Sequence, residues 1–260
     1  MAESFGTDPE RYDRTRPRYP QELVDRIIAT SPGADMLDVG CGTGIAARQF
    51  QAAGLRVLGL DIDPRMAGFA KRRGLEVEVA KFEDWDAAGR TFDAVIAGQT
   101  WHWIDQVAGA EKAAHVLRPQ GRLAVFRNDP QLPRELTKAF GEVYRRVLPD
   151  LALNPHPQPN RGSTAGDTLS DKSIPGLRQA GGFGKPERWT FDWRRTYTGA
   201  EWLDGLPTSG LLNRLPHDTL QRLLEGIRTA IEATVNNSFS VHYTTAAVTA
   251  TRADAAWDNV

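Results

Sequence analysis

The sequence predicts an α/β fold in which a mostly parallel, doubly wound sheet of seven strands carries helices on both faces. Three observations lead to this prediction. Short apolar runs alternate with helical segments over the first half of the chain, and repeated strand–helix–strand order is typical of a parallel sheet. A glycine-rich turn follows the first apolar run. Two longer segments near the C-terminus have the apolar or β-branched pattern of further strands.

Five strands are predicted in the first half of the chain. The third is shorter and more polar than the others, which is typical of a strand near a sheet edge. One helix is predicted before the first strand and the others between strands, because proline or glycine marks their ends. The predicted strands are 36–39, 56–60, 75–80, 92–97 and 122–126, and the predicted helices are 20–31, 45–53, 64–73 and 106–117.

The second half is less regular. Residues 131–148 and 216–235 indicate helices, and 187–198 and 239–251 indicate the last two strands. Residues 149–176 are rich in Pro, Gly, Ser and Asn, so we expect no long helix there and interpret the stretch as a disordered linker or a functional lid loop.

We expect a single elaborated domain with three parts. These are an N-terminal segment and ligand-binding α/β core over 1–128, a helix and lid or cap insertion over 129–186, and the last two strands with a helical insertion over 187–260. The insertions at 129–186 and 199–235 would together form a cap over the site.

The composition excludes several classes of function for this protein. Hydrophobic residues make up 40% of the 260 residues and charged residues 25%, which excludes disorder as the dominant state. The net charge of -1 provides no general basic field for nucleic acid or an anionic membrane. The single cysteine excludes an internal disulfide framework, and the histidines lack metal-ligand spacing. No apolar run is long enough to span a membrane, so we expect a soluble, cytoplasmic protein. From the charge, the single cysteine and the histidine spacing, we expect no nucleic-acid partner, no membrane partner and no metal.

The glycine-rich turn is the strongest local signal. Gly40, Gly42 and Gly44 follow the first strand and precede a helix, where glycines let the backbone approach a ligand closely. A dinucleotide fingerprint needs Gly-x-Gly-x-x-Gly, and Ile45 occupies the position of its third glycine. Asp38 precedes the turn, and a carboxylate there suits an ammonium group better than a pyrophosphate. The alternative is a tight strand–helix turn with no ligand.

Several ordered motifs resemble the class I S-adenosylmethionine-dependent methyltransferases, in particular the small-molecule, methyltransferase type 11-like group. The resemblance covers about residues 10–128. It implies a Rossmann-like methyltransferase fold, with S-adenosyl-L-methionine as cofactor and S-adenosyl-L-homocysteine as product. The motifs lie at 12–20, 37–44, 58–64, 91–95, 99–103 and 117–121.

The resemblance also implies cofactor-binding residues. Asp61 would accept hydrogen bonds from the ribose hydroxyls, unless it only caps the next helix, a role that Asp63 fits better. Ile62 would lie against the adenine, and Met66 and Gln99 are further candidates. The methionyl end would be held by Asp38, Gly40, Cys41, Gly42, Thr43 and Gly44.

The resemblance also implies an adenine-binding segment, which follows the third strand. Glu83 or Asp84 would meet the adenine amino group, with Phe82 or Trp85 packing nearby. The alternative is a surface acidic turn whose Trp85 closes the core.

The remaining candidates surround the predicted acceptor end. His102 follows the fourth strand, where a neutral imidazole could act as general base, although we favour a cofactor-contacting or supporting role beside two tryptophans. Tyr19, or an arginine of the N-terminal segment, could meet the cofactor carboxylate; solvated charge is the alternative. The aromatic face of 187–198 (Trp189, Phe191, Trp193 and Tyr197) could wall a substrate pocket, but a core strand is the simpler interpretation.

We therefore expect methyl transfer to a small-molecule substrate. Gly98-Gln-Thr-Trp101 replaces the Asn/Asp-Pro-Pro-Tyr motif of amino methyltransferases, which favours an oxygen or carbon nucleophile over an amide or adenine nitrogen. The main alternative is a non-catalytic sensor or scaffold that binds S-adenosylmethionine, and a nicotinamide oxidoreductase is a distant third.

Overall fold

The computed structural model describes residues 6–149, 165–210 and 212–253, and it contains the predicted seven-stranded sheet. The strands are β1 (Asp35–Val39), β2 (Arg56–Asp61), β3 (Glu76–Val79), β4 (Phe92–Gly98), β5 (Leu117–Gln131), β6 (Glu187–Thr198) and β7 (Ser238–Thr251). Their order is β3-β2-β1-β4-β5-β7-β6. The first five are parallel, and β7 is antiparallel to both of its neighbours. The mostly parallel fold, the edge position of the third strand and the contribution of the last two strands are confirmed.

Helices cover both faces of the sheet and one end of it. Those in the described residues are α1 (Pro9–Thr15), α2 (Gln21–Ala29), α3 (Ile45–Ala52), α4 (Pro64–Arg72), α5 (Gln106–Val116), α6 (Arg134–Val147), α7 (Ala165–Ala180), α8 (Gly199–Gly205) and α9 (His217–Thr234). Helices α2, α3 and α4 pack on one face, and α5 and α7 pack on the other. Helices α6, α8 and α9 share a third apolar cluster with β6 and β7.

Alternation along β1 explains why the sheet has two buried faces. Successive side chains of a strand point to opposite faces, and Met36 and Leu37 accordingly belong to different core clusters, both fully buried. Residue Asp38, next along the strand, lies near its carboxyl end. The parallel strands thus form an apolar layer between the helices and present polar residues at one edge.

The prediction for residues 149–176 is wrong for the part that the structure describes. Residues 165–176 belong to α7, a helix that continues to Ala180 with Pro175 inside it. Ile174 and Leu177 of α7 are buried against the core that α5 covers, so tertiary packing overrides local composition. Gly176 allows α7 to pack closely against α5, because a Cβ at this position would lie 2.6 Å from the carbonyl oxygen of Gln106. The rest of the predicted linker or lid, 150–164, lies outside the described residues.

Two further elements differ from the prediction. β5 begins at Leu117 rather than at 122, since the predicted turn at 119–121 lies within the strand, where Gln120 has φ 63° and the pairing with β4 is irregular. Helix α1 was not predicted; its N-cap is Asp8, whose side chain accepts a hydrogen bond from Arg11 N. No helix in the described ranges has the length and apolar character required to cross a membrane.

Candidate functional site

A cavity of about 440 Å³ lies at the carboxyl ends of β1, β2 and β4, the edge where open α/β sheets bind ligands. Its floor is formed by the glycine turn after β1, Asp61 at the end of β2 and the segment 98–100 after β4. Helices α1 and α8 contribute residues to the same cavity. Of the predicted site residues, those that line it are Tyr19, Asp38, Gly40, Cys41, Gly42, Thr43, Asp61, Met66, Gln99 and His102.

The glycine turn is held between neighbouring strand ends. Gly40 and Gly42 both have positive φ, of 66° and 57°, a conformation in which glycine has no Cβ penalty. Cys41 N donates to the carbonyl of Leu60 at 2.9 Å, and Gly42 N donates to Asp61 Oδ2 at 2.7 Å. Cys41 is buried, and burial raises the pKa of its thiol well above the usual value, so it is not poised as a nucleophile.

Asp38 is a buried carboxyl with an unused acceptor. Only 1% of its surface is exposed, and its Oδ2 has no hydrogen-bond partner among the described residues. Burial raises the pKa of Asp38 to about 8, with a further contribution from the negative charge of Asp61, while a backbone hydrogen bond from Ala47 opposes the increase. Thr43 Oγ1, in the same turn, is also buried without a partner in the described part of the chain. These atoms provide an acceptor for a cationic donor and a second polar contact beside it.

Asp61 is oriented by the backbone around it. Oδ2 accepts from Gly42 N, and Oδ1 accepts from Asp63 N at 2.8 Å. Burial raises the pKa of Asp61, and the two backbone hydrogen bonds lower it. Asp63 is the N-cap of α4 and accepts from Arg65 N, so Asp61 is left facing the cavity. A carboxylate has further lone pairs with which to accept two neighbouring hydroxyls.

His102 and Gln99 lie after β4. Gln99 has φ 61°, and its Nε2 donates to the carbonyl of Asn128 at 3.1 Å. His102 is exposed in the short 3-10 turn Trp101–Trp103, with its ring 4.6 Å from the Trp103 ring. Desolvation lowers the pKa of His102, and the charges of Arg127 and Lys172 lower it further. The imidazole is therefore neutral near pH 7 and can accept a proton.

The structure places the other predicted residues outside the cavity lining. Phe82 and Trp85 are buried in the core, and Trp85 Nε1 donates to Glu78 Oε2 at 2.6 Å. Glu83 Oε1 accepts from the backbone N–H of Asp105 at 3.2 Å, and Asp84 is exposed. The position of Trp85 agrees with the alternative in which it closes the core. Gly44 lies at the N-cap of α3, and Ile62 is 43% exposed.

An N-terminal roof closes over the cavity. Arg11 Nε donates to the carbonyl oxygen and to Oδ1 of Asp204 at 2.8 and 3.0 Å, and Arg14 Nη2 donates to Asp204 Oδ2 at 2.9 Å. These contacts join α1 to α8; we call them the α1–α8 latch. Tyr19 packs edge-on against Phe126 with ring centroids 4.6 Å apart and lines the cavity; its contact with the cofactor carboxylate stays a prediction.

Sequence reasoning missed three residues that line the cavity: Asn128 on β5, Trp202 on α8 and Tyr243 on β7. Tyr12 and Arg16 also line it, and both belong to the N-terminal segment that the prediction named. Asp8-Pro9-Glu10 is a helix-start signature that could have indicated α1, but nothing local indicates its contact with α8, a helix about 190 residues later.

The aromatic face of β6 is divided between the core and the cavity. Trp189 and Phe191 pack in the core with α2 and α3. Tyr197 lines the cavity, and its hydroxyl is 2.7 Å from that of Tyr243 on β7. The end of β6 nearest α8 therefore forms a polar-tipped aromatic wall. In the ranges described, no group of three or more His, Cys, Asp or Glu residues is arranged to hold a metal ion.

Asp204→Asn is expected to loosen the roof, because it weakens the charged hydrogen bonds from Arg11 and Arg14. Exposed ion pairs contribute little to global stability, so we expect a loss of no more than about 1 kcal/mol but faster trypsin cleavage between α1 and α2. Glu225→Gln, which removes an exposed ion pair with Arg228 on α9, is the control. Equal cleavage rates in the two variants would contradict the latch.

Comparison with known proteins agrees with this geometry. Residues 37–125 match the family model described as a methyltransferase domain. An uncharacterized methyltransferase of Mycobacterium tuberculosis is 33% identical over 149 residues, which are 56% of this chain and 60% of that protein. A demethylmenaquinone methyltransferase of Tropheryma whipplei is 30% identical over 161 residues, which are 57% of this chain and 66% of that protein. The chain thus spans about three fifths of the length of the Mycobacterium relative.

Solved structures share the fold. A candidate type II methyltransferase from Anaeromyxobacter dehalogenans has a TM-score of 0.66 and 22% identity, over 92% of this chain and 99% of that one. A phosphoethanolamine N-methyltransferase from Haemonchus contortus, solved with S-adenosylhomocysteine, has a TM-score of 0.52 and 15% identity, over 98% of this chain and 60% of that one. The resemblance indicated by the sequence motifs is confirmed over residues 37–125, the part of the chain that matches the methyltransferase domain.

Proposed function

We propose that this protein transfers a methyl group from S-adenosylmethionine to a small-molecule acceptor with an oxygen or carbon nucleophile. The observation that carries the proposal is the buried, unpartnered Oδ2 of Asp38 beside the glycine turn, with Asp61 in the same cavity. The two carboxyls suit the two ends of this ligand, an ammonium group and a pair of ribose hydroxyls.

The residues present fit S-adenosylmethionine. Asp38 would accept from its ammonium group, Asp61 would accept from its ribose hydroxyls, and the glycine turn leaves room for close backbone approach. When bound, the cofactor supplies a methyl group already activated by a sulfonium centre. The relatives described as methyltransferases, and the Haemonchus neighbour solved with S-adenosylhomocysteine, support the same ligand.

The chain's own contribution is to position the acceptor and exclude water. Residues of α1 and α8 and the Tyr197–Tyr243 pair line the same cavity as the glycine turn, and the α1–α8 latch joins the two helices. Alignment of the nucleophile can lower a barrier by several kcal/mol. Gly98-Gln-Thr-Trp101 provides no proline-rich amide-binding motif, which favours the oxygen or carbon nucleophile.

Calorimetric titration with S-adenosylhomocysteine tests the proposal, with NADH in a parallel titration. We expect micromolar affinity for S-adenosylhomocysteine and none for NADH. Incubation with S-adenosylmethionine and pooled small hydroxylated acceptors should then produce S-adenosylhomocysteine. Absence of binding by the folded protein would refute the proposal, and tight binding without turnover on any acceptor would favour a sensor.

Asp61→Ala is expected to weaken S-adenosylhomocysteine binding by roughly 1 to 3 kcal/mol, because charged hydrogen bonds to the ribose are lost. The same titration measures this change. Asp63→Ala, which removes the N-cap of α4 and not a cavity residue, provides a control for indirect effects on the turn. Unchanged affinity in Asp61→Ala would refute the ribose role.

His102→Gln tests proton acceptance at the acceptor end. If His102 is the base, the variant should bind S-adenosylhomocysteine normally but lose about 10²-fold or more in kcat. The pKa of His102 is below its usual value, so at saturating S-adenosylmethionine the wild-type kcat should fall only on the acid side of about pH 6.5, as the imidazole becomes protonated. Full turnover by the folded variant would end this role.

A further inference from the structure

A second cavity, of about 660 Å³, lies beside the N-terminal segment. We call it the arginine cleft, because five arginines line it: Arg14, Arg16, Arg18, Arg73 and Arg195. They come from α1, the segment after it, the end of α4 and β6. The whole chain has a net charge of -1, so this concentration of positive charge is local and is not a consequence of a basic protein.

The two carboxylates of the cleft leave most of this charge unbalanced. Asp13 is only 9% exposed, and its Oδ1 accepts from Arg48 Nη2 at 2.5 Å. Arg48 does not line the cleft, so the charge of Asp13 is already paired from outside it. Arg73 lies at the longer distance of 3.7 Å from Asp13 Oδ2. Glu10, the other carboxylate, is exposed.

Three of the arginines have no carboxylate within salt-bridge distance in the part of the chain that the structure describes. Arg14 pairs with Asp204 in the α1–α8 latch, whereas Arg16, Arg18 and Arg195 have no such pair. The Arg195 guanidinium lies 4.4 Å from the centroid of the Tyr197 ring, which orients it without neutralising it.

Arg16 gives the clearest sign of a missing ligand. One Nη donates to the carbonyl of Thr208 at 2.6 Å, but its buried Nε has no partner among the described residues. A buried, charged donor without an acceptor is costly, since it has lost water and gained no hydrogen bond. Arg16 lines both cavities, so a ligand in the cleft would lie next to the candidate methyl-transfer site.

We propose that the arginine cleft binds a small polyanion, a molecule with linked phosphates or several carboxylates. Guanidinium groups bind both kinds of oxyanion through paired N–H donors, and Trp193 and Phe69 supply apolar walls on which such a ligand can rest. A concave site of this size suits a small molecule. The site goes beyond the proposed methyl transfer and does not depend on it.

The test is calorimetric titration of the whole chain, at low ionic strength, with inorganic triphosphate and separately with citrate. Saturable binding of either one with one site per chain supports the proposal, and the one that binds identifies phosphate or carboxylate chemistry. Arg18→Gln and Arg195→Gln should each weaken that binding by about tenfold, because each removes a charged hydrogen-bond donor.

Arg194→Gln is the matched control. Arg194 is the exposed neighbour of Arg195 on β6 and does not line the cleft, so this variant loses the same charge and should keep full affinity. Thermal melting of all three variants checks that they are folded. Failure of both anions to bind, or an equal loss of affinity in Arg194→Gln, would overturn the proposal. Neither result bears on S-adenosylhomocysteine binding, which is measured in its own titration.

Discussion

Asp38→Asn is expected to weaken S-adenosylhomocysteine binding by about tenfold to a hundredfold, because a hydrogen bond to a charged group contributes about 1.5 to 3 kcal/mol. The asparagine has the same shape and can still accept from the Ala47 backbone, but it cannot ionise to meet an ammonium group. The measurement is calorimetric titration near pH 7, with circular dichroism to check the fold. Unchanged affinity would refute the assignment of Asp38.

The raised pKa of Asp38 adds a signature that a general loss of packing would not give. With a pKa of about 8 in the free protein, the carboxyl is mostly protonated at pH 7, and binding an ammonium group should release about 0.9 proton. Affinity should therefore increase with pH up to about 8 and then level off. Titration in buffers of different ionisation enthalpy measures the proton release, and Asp38→Asn should abolish it.

The raised pKa of Asp38 also determines the direction in which the free energy of unfolding changes with pH. The folded carboxyl binds its proton more tightly than the unfolded one, whose pKa is near 3.8, so the free protein loses stability as pH rises from about 4 to about 8. Asp38→Asn cannot ionise and should escape this loss. Above pH 8 we expect its free energy of unfolding to exceed that of the wild type. A variant that is less stable at every pH would contradict the raised pKa.

Local sequence patterns were sufficient to predict the sheet and the residues that form the floor of the site. Strand alternation, the glycine spacing and the aspartates at strand ends are local signals, and parallel strands bring their carboxyl ends to one edge whatever lies elsewhere. Asp38 and Asp61 were therefore predictable as neighbours, although they lie 23 positions apart in the sequence.

The roof and the outer helices were not predictable in the same way, because their positions depend on long-range contacts. Asp204 acquires its role only when α8 meets Arg11 and Arg14. Gly176 would be expected in a loop from local sequence alone, and its position in α7 follows from the packing of α5 against it. Similarly, the sequence around 83–84 does not indicate that the Trp85 side chain contacts Glu78 and not the cavity.

Gly40→Ala is the other substitution for which we expect a large loss of stability. Two destabilising effects combine at this position, an unfavourable backbone conformation and a steric clash. At φ 66° an alanine costs about 1 to 2 kcal/mol for the left-handed conformation. Its Cβ would also lie 2.2 Å from Thr100 Oγ1 and 2.8 Å from Thr100 Cβ, so either Thr100 or the turn must move. We expect a total loss of about 2 to 4 kcal/mol in the free energy of unfolding, measured by urea denaturation.

Gly54→Ala separates the two costs, because Gly54 has φ 92° but no atom within 4 Å of the position that a Cβ would occupy. It should show the backbone cost alone and retain full S-adenosylhomocysteine affinity. Gly40→Ala should in addition lose at least about tenfold in affinity, since Gly40 lines the cavity and the displaced turn carries Thr43 with it. Adding Thr100→Ala should restore part of the stability by removing the nearest atom. If Gly40→Ala matched Gly54→Ala in both stability and affinity, the turn would have room for a side chain, and close backbone approach to a ligand would not be the reason for glycine at this position.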